Sequence, residues 1–178
     1  MNTKELINLI FKDQATNYEL IEFDIININY DEVLNLIEKP GTGKSTGKTI
    51  YYLKTLAPFY SDKEEVQIYV EGGKSNPEEI VRQLWVHKLI KYYGYDKDEI
   101  VLEKPIAFGT DIGTKFADIV VHTNREKATP KIVVEVKKPK RKDGIEQLRS
   151  YLNAEGSPIG VWSNGSDKVI LYRPYPKD

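Results

Sequence analysis

Asp118, Glu135 and Lys137 are the residues of this chain whose types and spacing best suit chemistry. They sit in two apolar segments, KFADIVVHT and KIVVEVKK, each with the β-branched run of a buried strand. Asp118 lies near the start of the first, and Glu135 follows seventeen positions later in the middle of the second. Side chains alternate along a strand, so Glu135 and Lys137 share one face while Val134 and Val136 take the other. A carboxylate among apolar neighbours is costly to bury unless it is paired or binds a metal. If the two strands are neighbours, Asp118 and Glu135 converge on a hard-oxygen site that suits Mg²⁺, with Mn²⁺ as its substitute. Lys137 would stand beside that ion, placed to hold or polarise an attacking water. The competing reading is a Glu135–Lys137 ion pair on a half-exposed sheet. Two acids that repel each other also carry an expectation about stability: removing either should stabilise the metal-free protein.

The elements that must position these residues are legible in the second half of the chain. SNPEEIVRQLWVHKLIKYYG begins with a capping residue and Pro77 and ends in glycine, which predicts a long helix over 77–93. DEIVLEKPIAFG reads as a strand kinked at Pro105, and a polar turn joins the two strands that carry Asp118 and Glu135. DGIEQLRSYLNAEG reads as a helix closed by glycine, and PIGVWSNG with KVILYRP as a strand pair around Asn164-Gly165. The order αβββαββ predicts an α/β (α+β) fold, a mixed central sheet flanked by helices. The first half reads as a helix over 3–12, a strand over 18–28 and a helix begun by Asp31 with Val33, Leu34 and Ile37 on one face. Strands in TIYYLKTL and EEVQIYVEG follow. This divides the chain into an N-terminal α/β extension, 1–75, packed on or beside a core, 76–178.

Between the expected helix and the first of those strands lies GTGKSTGKT, residues 41–49, which looks like a phosphate-binding loop typed twice. A P-loop needs G-x-x-x-x-G-K-[ST] between a strand and a helix. Five positions before Gly43 stands Glu38, and five before Gly47 stands Thr42, so neither frame has its first glycine. The segment is expected to be a weakly basic connection, and no ATP is expected on this chain. Cysteine is absent, which excludes disulfide frameworks, thiolate zinc sites and cysteine nucleophiles. No apolar run approaches the roughly 18 residues of a membrane span, and the first residues lack the pattern of a signal peptide. The expectation is a cytoplasmic protein with no membrane partner. The formal net charge of −1 hides a basic block: residues 127–142 carry Lys127, Lys131, Lys137, Lys138, Lys140, Arg141 and Lys142 against Glu135 alone. Such a block suits nucleic-acid phosphates, and equally a solvated loop. His87 and His122 fit no metal-ligand spacing, and His87 is expected on a helix surface.

The pattern Asp-x(n)-Glu-x-Lys across two strands resembles the PD-(D/E)xK nuclease superfamily. More narrowly, NPEEIVRQLWVHKLIKYYGY, KFADIVVH, IVVEVKKP, QLRSY and VWSNG resemble the N-terminal nuclease domain of the R subunit of type I restriction enzymes, over about 76–173. The resemblance implies a restriction-endonuclease-like core and a metal-dependent endonuclease that hydrolyses DNA phosphodiester bonds without reading sequence itself. It implies Asp118 and Glu135 as metal ligands with the Val136 carbonyl as a further one, and Lys137 as the residue that positions water. It adds Gln147 and Tyr151, a Q-x-x-x-Y pair one helical turn apart that can face the site or a DNA strand; for Tyr151 core packing is the competing reading. It also implies a glutamate from the first helix. Glu78 shares the spacing of Val81 and Trp85 and is preferred; Glu79, expected to point sideways, is the alternative. Lys138, Lys140, Arg141 and Lys142 would contact phosphates of double-stranded DNA. Ala117 stands where the superfamily's proline would precede the aspartate. A helicase motor and the methyltransferase and specificity subunits would lie outside this chain. A second class stays open: a nuclease fold that docks DNA or a methyltransferase without cleaving.

Overall fold

The computed structural model describes residues 34–73, 75–108, 111–127 and 129–174, with the side chains of 111–114 excepted. The helix expected over 3–12 and the strand expected over 18–28 lie outside the described residues. Among the described residues two sheets and two α-helices make a mixed α+β fold. The first sheet is an antiparallel meander of β1 (Leu36–Pro40), β2 (Thr49–Lys54) and β3 (Glu65–Val70). Then come α1 (Pro77–His87), β4 (Ile100–Phe108), β5 (Asp111–His122), β6 (Pro130–Val136), α2 (Ile145–Glu155), β7 (Ile159–Ser163) and β8 (Lys168–Tyr172). The last five strands form one sheet in sequential order, antiparallel except for β6 and β7, which run parallel because α2 crosses between them.

One expectation fails at the N-terminal end. The stretch begun by Asp31 is not helical where it is described: Leu36–Pro40 is a strand, with Leu36 opposite Leu53 and Pro40 opposite Thr49. The spacing of Leu34 and Ile37 fits a helical face, but Leu34 and Leu36 also sit on one side of a strand, and both pack against the core. A hairpin partner was at hand in β2, and tertiary pairing overrode local propensity. The connection between them, 41–48, contains one 3₁₀ turn at Gly43–Ser45, with Gly41 N–H bonded to Lys48 C=O at 2.8 Å. It joins two antiparallel strands, and no helix follows it.

α1 starts where Asn76 accepts the Glu79 N–H, with Pro77 in the first turn. It continues through a π turn, Lys88–Tyr92, to Gly94 at φ +77°. The two faces of the large sheet are covered separately. Leu84 and Trp85 of α1 pack with Ile119, Val121, Val134 and Val136 on one side. Leu148, Tyr151 and Leu152 of α2 pack with Val120, Val133 and Trp162 on the other. The alternation of Val133 against Val134 and Val136 is the period-2 pattern of a strand buried on both faces. Leu148→Ala would destabilise the fold by about 2–5 kcal/mol, through the lost burial and the cavity left behind. The meander contributes Leu53, Phe59, Ile68 and Tyr69 to the same cluster as α1. Phe59 bridges Leu102 of β4, and the Gln83 side chain accepts the Leu56 N–H at 3.2 Å. Among the described residues no helix is long and apolar enough to cross a membrane.

Candidate functional site

The site forms where β5 and β6 part. Their ladder runs from His122↔Pro130, through a register shift, to Ile119↔Val134. One step on, the Val136 N–H donates to Asp118 Oδ2 at 2.8 Å, so a side chain takes the place of a backbone acceptor. This draws Asp118 and Glu135 to neighbouring positions, 9% and 1% exposed. The two acids stand on adjacent strands, near enough for the Asp118 charge to act on Glu135.

Glu135 is the strained member. Its Oε1 accepts from Lys137 Nζ, as the shared strand face requires. Its Oε2 is buried without a hydrogen-bond partner among the described residues. Burial, then the nearby Asp118 charge, push the Glu135 carboxyl up to about 8. Burial pulls the Lys137 ammonium down, but the Glu135 hydrogen bond and the charges of Glu135, Asp118 and Glu78 outweigh it and leave its pKa raised. Gly144, at φ +104°, makes room for this lysine: a Cβ there would lie 2.8 Å from Lys137 Cε.

The two glutamates of α1 separate. Glu78 is half-buried, and its Oε2 accepts the Lys138 N–H at 3.2 Å. Burial and then Asp118 raise its pKa, so it belongs to the same electrostatic neighbourhood as Asp118 and Lys137. Glu79 does not point sideways: it is 1% exposed, bonded to Gln83 Nε2 at 2.8 Å and to Arg82 Nη1 at 2.7 Å. α1 is buried on nearly all sides, so a single apolar stripe could not rank its glutamates.

Arg82 escaped the sequence argument altogether. Its guanidinium donates to Asp118 Oδ1 at 2.6 Å, to Glu79 at 2.7 Å and to Glu103 Oε1 at 3.0 Å. Glu103, in the middle of β4, has φ +48° and also accepts from Lys63 Nζ at 2.5 Å. The available signal was a cation three and four residues after two glutamates, inside an otherwise apolar helix.

Gln147 and Tyr151 do lie on one helix face, and Gln147 Nε2 donates to the Tyr151 hydroxyl at 2.6 Å. The core reading of Tyr151 holds, with its ring 1% exposed under α2, and burial followed by the Glu135 and Asp118 charges raises its hydroxyl pKa. The basic run is less uniform than it reads. Lys137 turns inward, and Arg141 is held by Asp143 through bonds of 2.6 and 2.7 Å. Lys138, Lys140 and Lys142 are exposed. The loop is pinned from beneath, with Trp162 Nε1 bonded to Asp143 C=O at 2.7 Å and Asn164 Nδ2 to Arg141 C=O at 2.8 Å. His87 is half-buried on α1, and His122 is buried with Nδ1 at 3.1 Å from the Glu99 carbonyl, where burial lowers its pKa. Among the described residues no group of three or more His, Cys, Asp or Glu side chains is arranged to hold a metal ion.

Comparison with known proteins gives one family. Its model, described as type I restriction enzyme R protein N terminus, matches residues 77–177, more than half of the chain, from the start of α1 past the end of β8. No curated protein matches.

Proposed function

The chain belongs to the type I restriction enzyme R protein N-terminal family, and from that premise we propose that it is a metal-dependent endodeoxyribonuclease. It would cut double-stranded DNA without reading bases, as part of a type I-like restriction system with methyltransferase, specificity and motor functions on other chains or segments. The core of this activity is residues 76–178, with 1–75 as an extension.

The observation that carries the reading is the buried, unpartnered Glu135 Oε2 beside Asp118. Five carboxylates, Glu78, Glu79, Glu103, Asp118 and Glu135, stand against the cations Arg82, Lys137 and Lys63. Binding a divalent ion would release the Glu135 proton that burial favours, and oxygen donors suit Mg²⁺ or Mn²⁺. Asp118 and Glu135 would hold it, with the Val136 carbonyl and Glu78 as further candidates. When bound, such an ion neutralises phosphate charge and lowers the pKa of a water. Lys137, already aimed by Glu135 and the gap over Gly144, would orient the attacking water and offset charge that develops on the phosphoryl oxygens. Gln147 would hold the Tyr151 hydroxyl toward the same space. Lys138, Lys140 and Lys142, with Arg141 once freed from Asp143, would bind backbone phosphates and set the scissile bond over the site.

The test is cleavage of supercoiled plasmid across a Mg²⁺ and Mn²⁺ titration, with Glu135→Gln as the control that removes a ligand while keeping shape. Metal-dependent nicking that this variant loses is expected. Metal-independent cleavage untouched by Glu135→Gln would refute the assignment. A gel shift with no cleavage under any metal would favour the DNA-docking reading instead.

A further inference from the structure

We propose that Arg82 is a positioning residue for the cation site, holding the Asp118 carboxylate from behind in one fixed orientation; the inference rests on the metal-dependent reading above. The Arg82 side chain is 9% exposed and binds carboxylates from three elements: Glu79 of α1, Glu103 of β4 and Asp118 of β5. A planar guanidinium with five donors in a fixed fork can satisfy three such partners at once, which a lysine cannot.

Four features set this apart from an ordinary buried ion pair. First, the charges do not balance: Arg82 and Lys63 serve three carboxylates, Glu79, Glu103 and Asp118, and Asp118 lies next to Glu135 and Glu78. Filling the interior needs no such excess, and apolar residues would do it as well or better. Second, the fork is braced on its far side. Gln83 clamps Glu79, and Lys63 clamps Glu103. Third, Glu103 adopts φ +48° within a strand, a conformation that persists where the surroundings over-determine it and that clusters at working sites. Fourth, each Asp118 oxygen accepts one directed donor: Oδ1 from Arg82 and Oδ2 from the Val136 N–H. The carboxylate cannot rotate, and each oxygen keeps a lone pair for another partner. A ligand oriented by hydrogen bonds behind it is the ordinary way a protein sets metal affinity, and losing such a bond typically weakens binding about 10- to 100-fold.

The inference makes a prediction of sign. Arg82 places a positive charge close to a cation site. If it were only a bystander, Arg82→Met would remove that repulsion and tighten metal binding. If it positions Asp118, Arg82→Met weakens binding despite the lost repulsion. Arg82→Lys keeps the charge and most of the stem but not the fork, and it too should weaken binding.

The experiment is Mn²⁺ binding followed by electron paramagnetic resonance on wild type and both variants, with circular dichroism to show that each is folded. The expected result is a dissociation constant about 10- to 100-fold higher in both variants. Arg82→Lys decides alone if Arg82→Met does not fold. Wild type that binds Mn²⁺, with unchanged or tighter binding in the folded variants, overturns the positioning role and leaves the proposed function standing. Wild type that binds no Mn²⁺ overturns the proposed function and this inference with it.

Discussion

Asp118 and Glu135 stand on adjacent strands at the same divergence, yet they are in opposite electrostatic situations. Both oxygens of Asp118 are engaged, one by Arg82 and one by the Val136 N–H. Glu135 has one oxygen on Lys137 and, among the described residues, no hydrogen-bond partner on the other. The α1 side of the site is therefore a finished network, and the β6 side is an unfinished one. A finished network holds shape and an unfinished one holds reactivity, because a buried polar atom without a partner is what a ligand can satisfy.

The sharpest way to break this contrast is at Lys137, which donates to Glu135 Oε1. Lys137→Ala should lower plasmid cleavage by roughly two to three orders of magnitude, as expected for one preorganised charge contact. Mn²⁺ binding should survive, since a cation does not ligate a cation. Binding of uncleaved DNA should fall only slightly, because Lys138, Lys140 and Lys142 remain. Unchanged cleavage with a lowered melting point would make Lys137 structural and remove the central residue of the nuclease assignment.

Stability in metal-free buffer distinguishes the two carboxylates next. Asp118→Ala leaves Val136 N–H with an unmade bond and Arg82 with two of its three carboxylates, so it should destabilise the protein by about 1–3 kcal/mol. The gain expected from removing either acid is offset at Asp118, because that carboxylate pairs with Arg82 and accepts the Val136 N–H. It survives at Glu135. The Glu135 carboxyl titrates near 8 in the folded chain against the usual 4.5. Its contribution to stability is therefore complete below about 4.5 and is lost as pH rises through 8, because the unfolded chain gives up the proton first. Melting curves of wild type and Glu135→Gln in EDTA should diverge in favour of the variant as pH climbs across that window. Parallel curves would show that Glu135 is not forced to hold its proton.

The smallest effect is expected far from both. Replacing Lys44 and Lys48 by Ala should leave melting temperature and cleavage within error, since the loop joins β1 and β2 and does not open a helix. Saturable ATP binding lost in that double variant would contradict this.

What the sequence made legible was whatever one strand or one helix decides alone. Glu135 and Lys137 on a shared face, the paired apolar strands, the Gln147–Tyr151 turn and the hairpin at Asn164-Gly165 all follow from a local period. What it hid depends on several elements at once. Arg82 meets Glu103 and Asp118 only after β4 and β5 are laid beside α1. Glu79 is buried because α1 is covered on almost every side, a fact its own spacing cannot carry. Leu36–Pro40 is a strand because β2 folds back on it, whereas its residues taken alone suit a helix as well.

The meander that supplies Leu53, Phe59, Ile68 and Tyr69 to the packing of α1 also has a consequence for how the chain comes apart. The family match begins at residue 77, but the hydrophobic cluster around α1 crosses that point, and the backbone crosses it again where Leu102 N–H bonds to Pro58 C=O and Tyr60 N–H to Leu102 C=O, both at 2.9 Å. A protease that nicks the 60–64 turn would loosen both sheets together, and a chain begun at residue 77 would present Leu84, Trp85 and Ile119 to water. Calorimetry should record one transition for the two sheets, with equal van't Hoff and calorimetric enthalpies. The stretch that names the family and the unit that folds are then of different lengths.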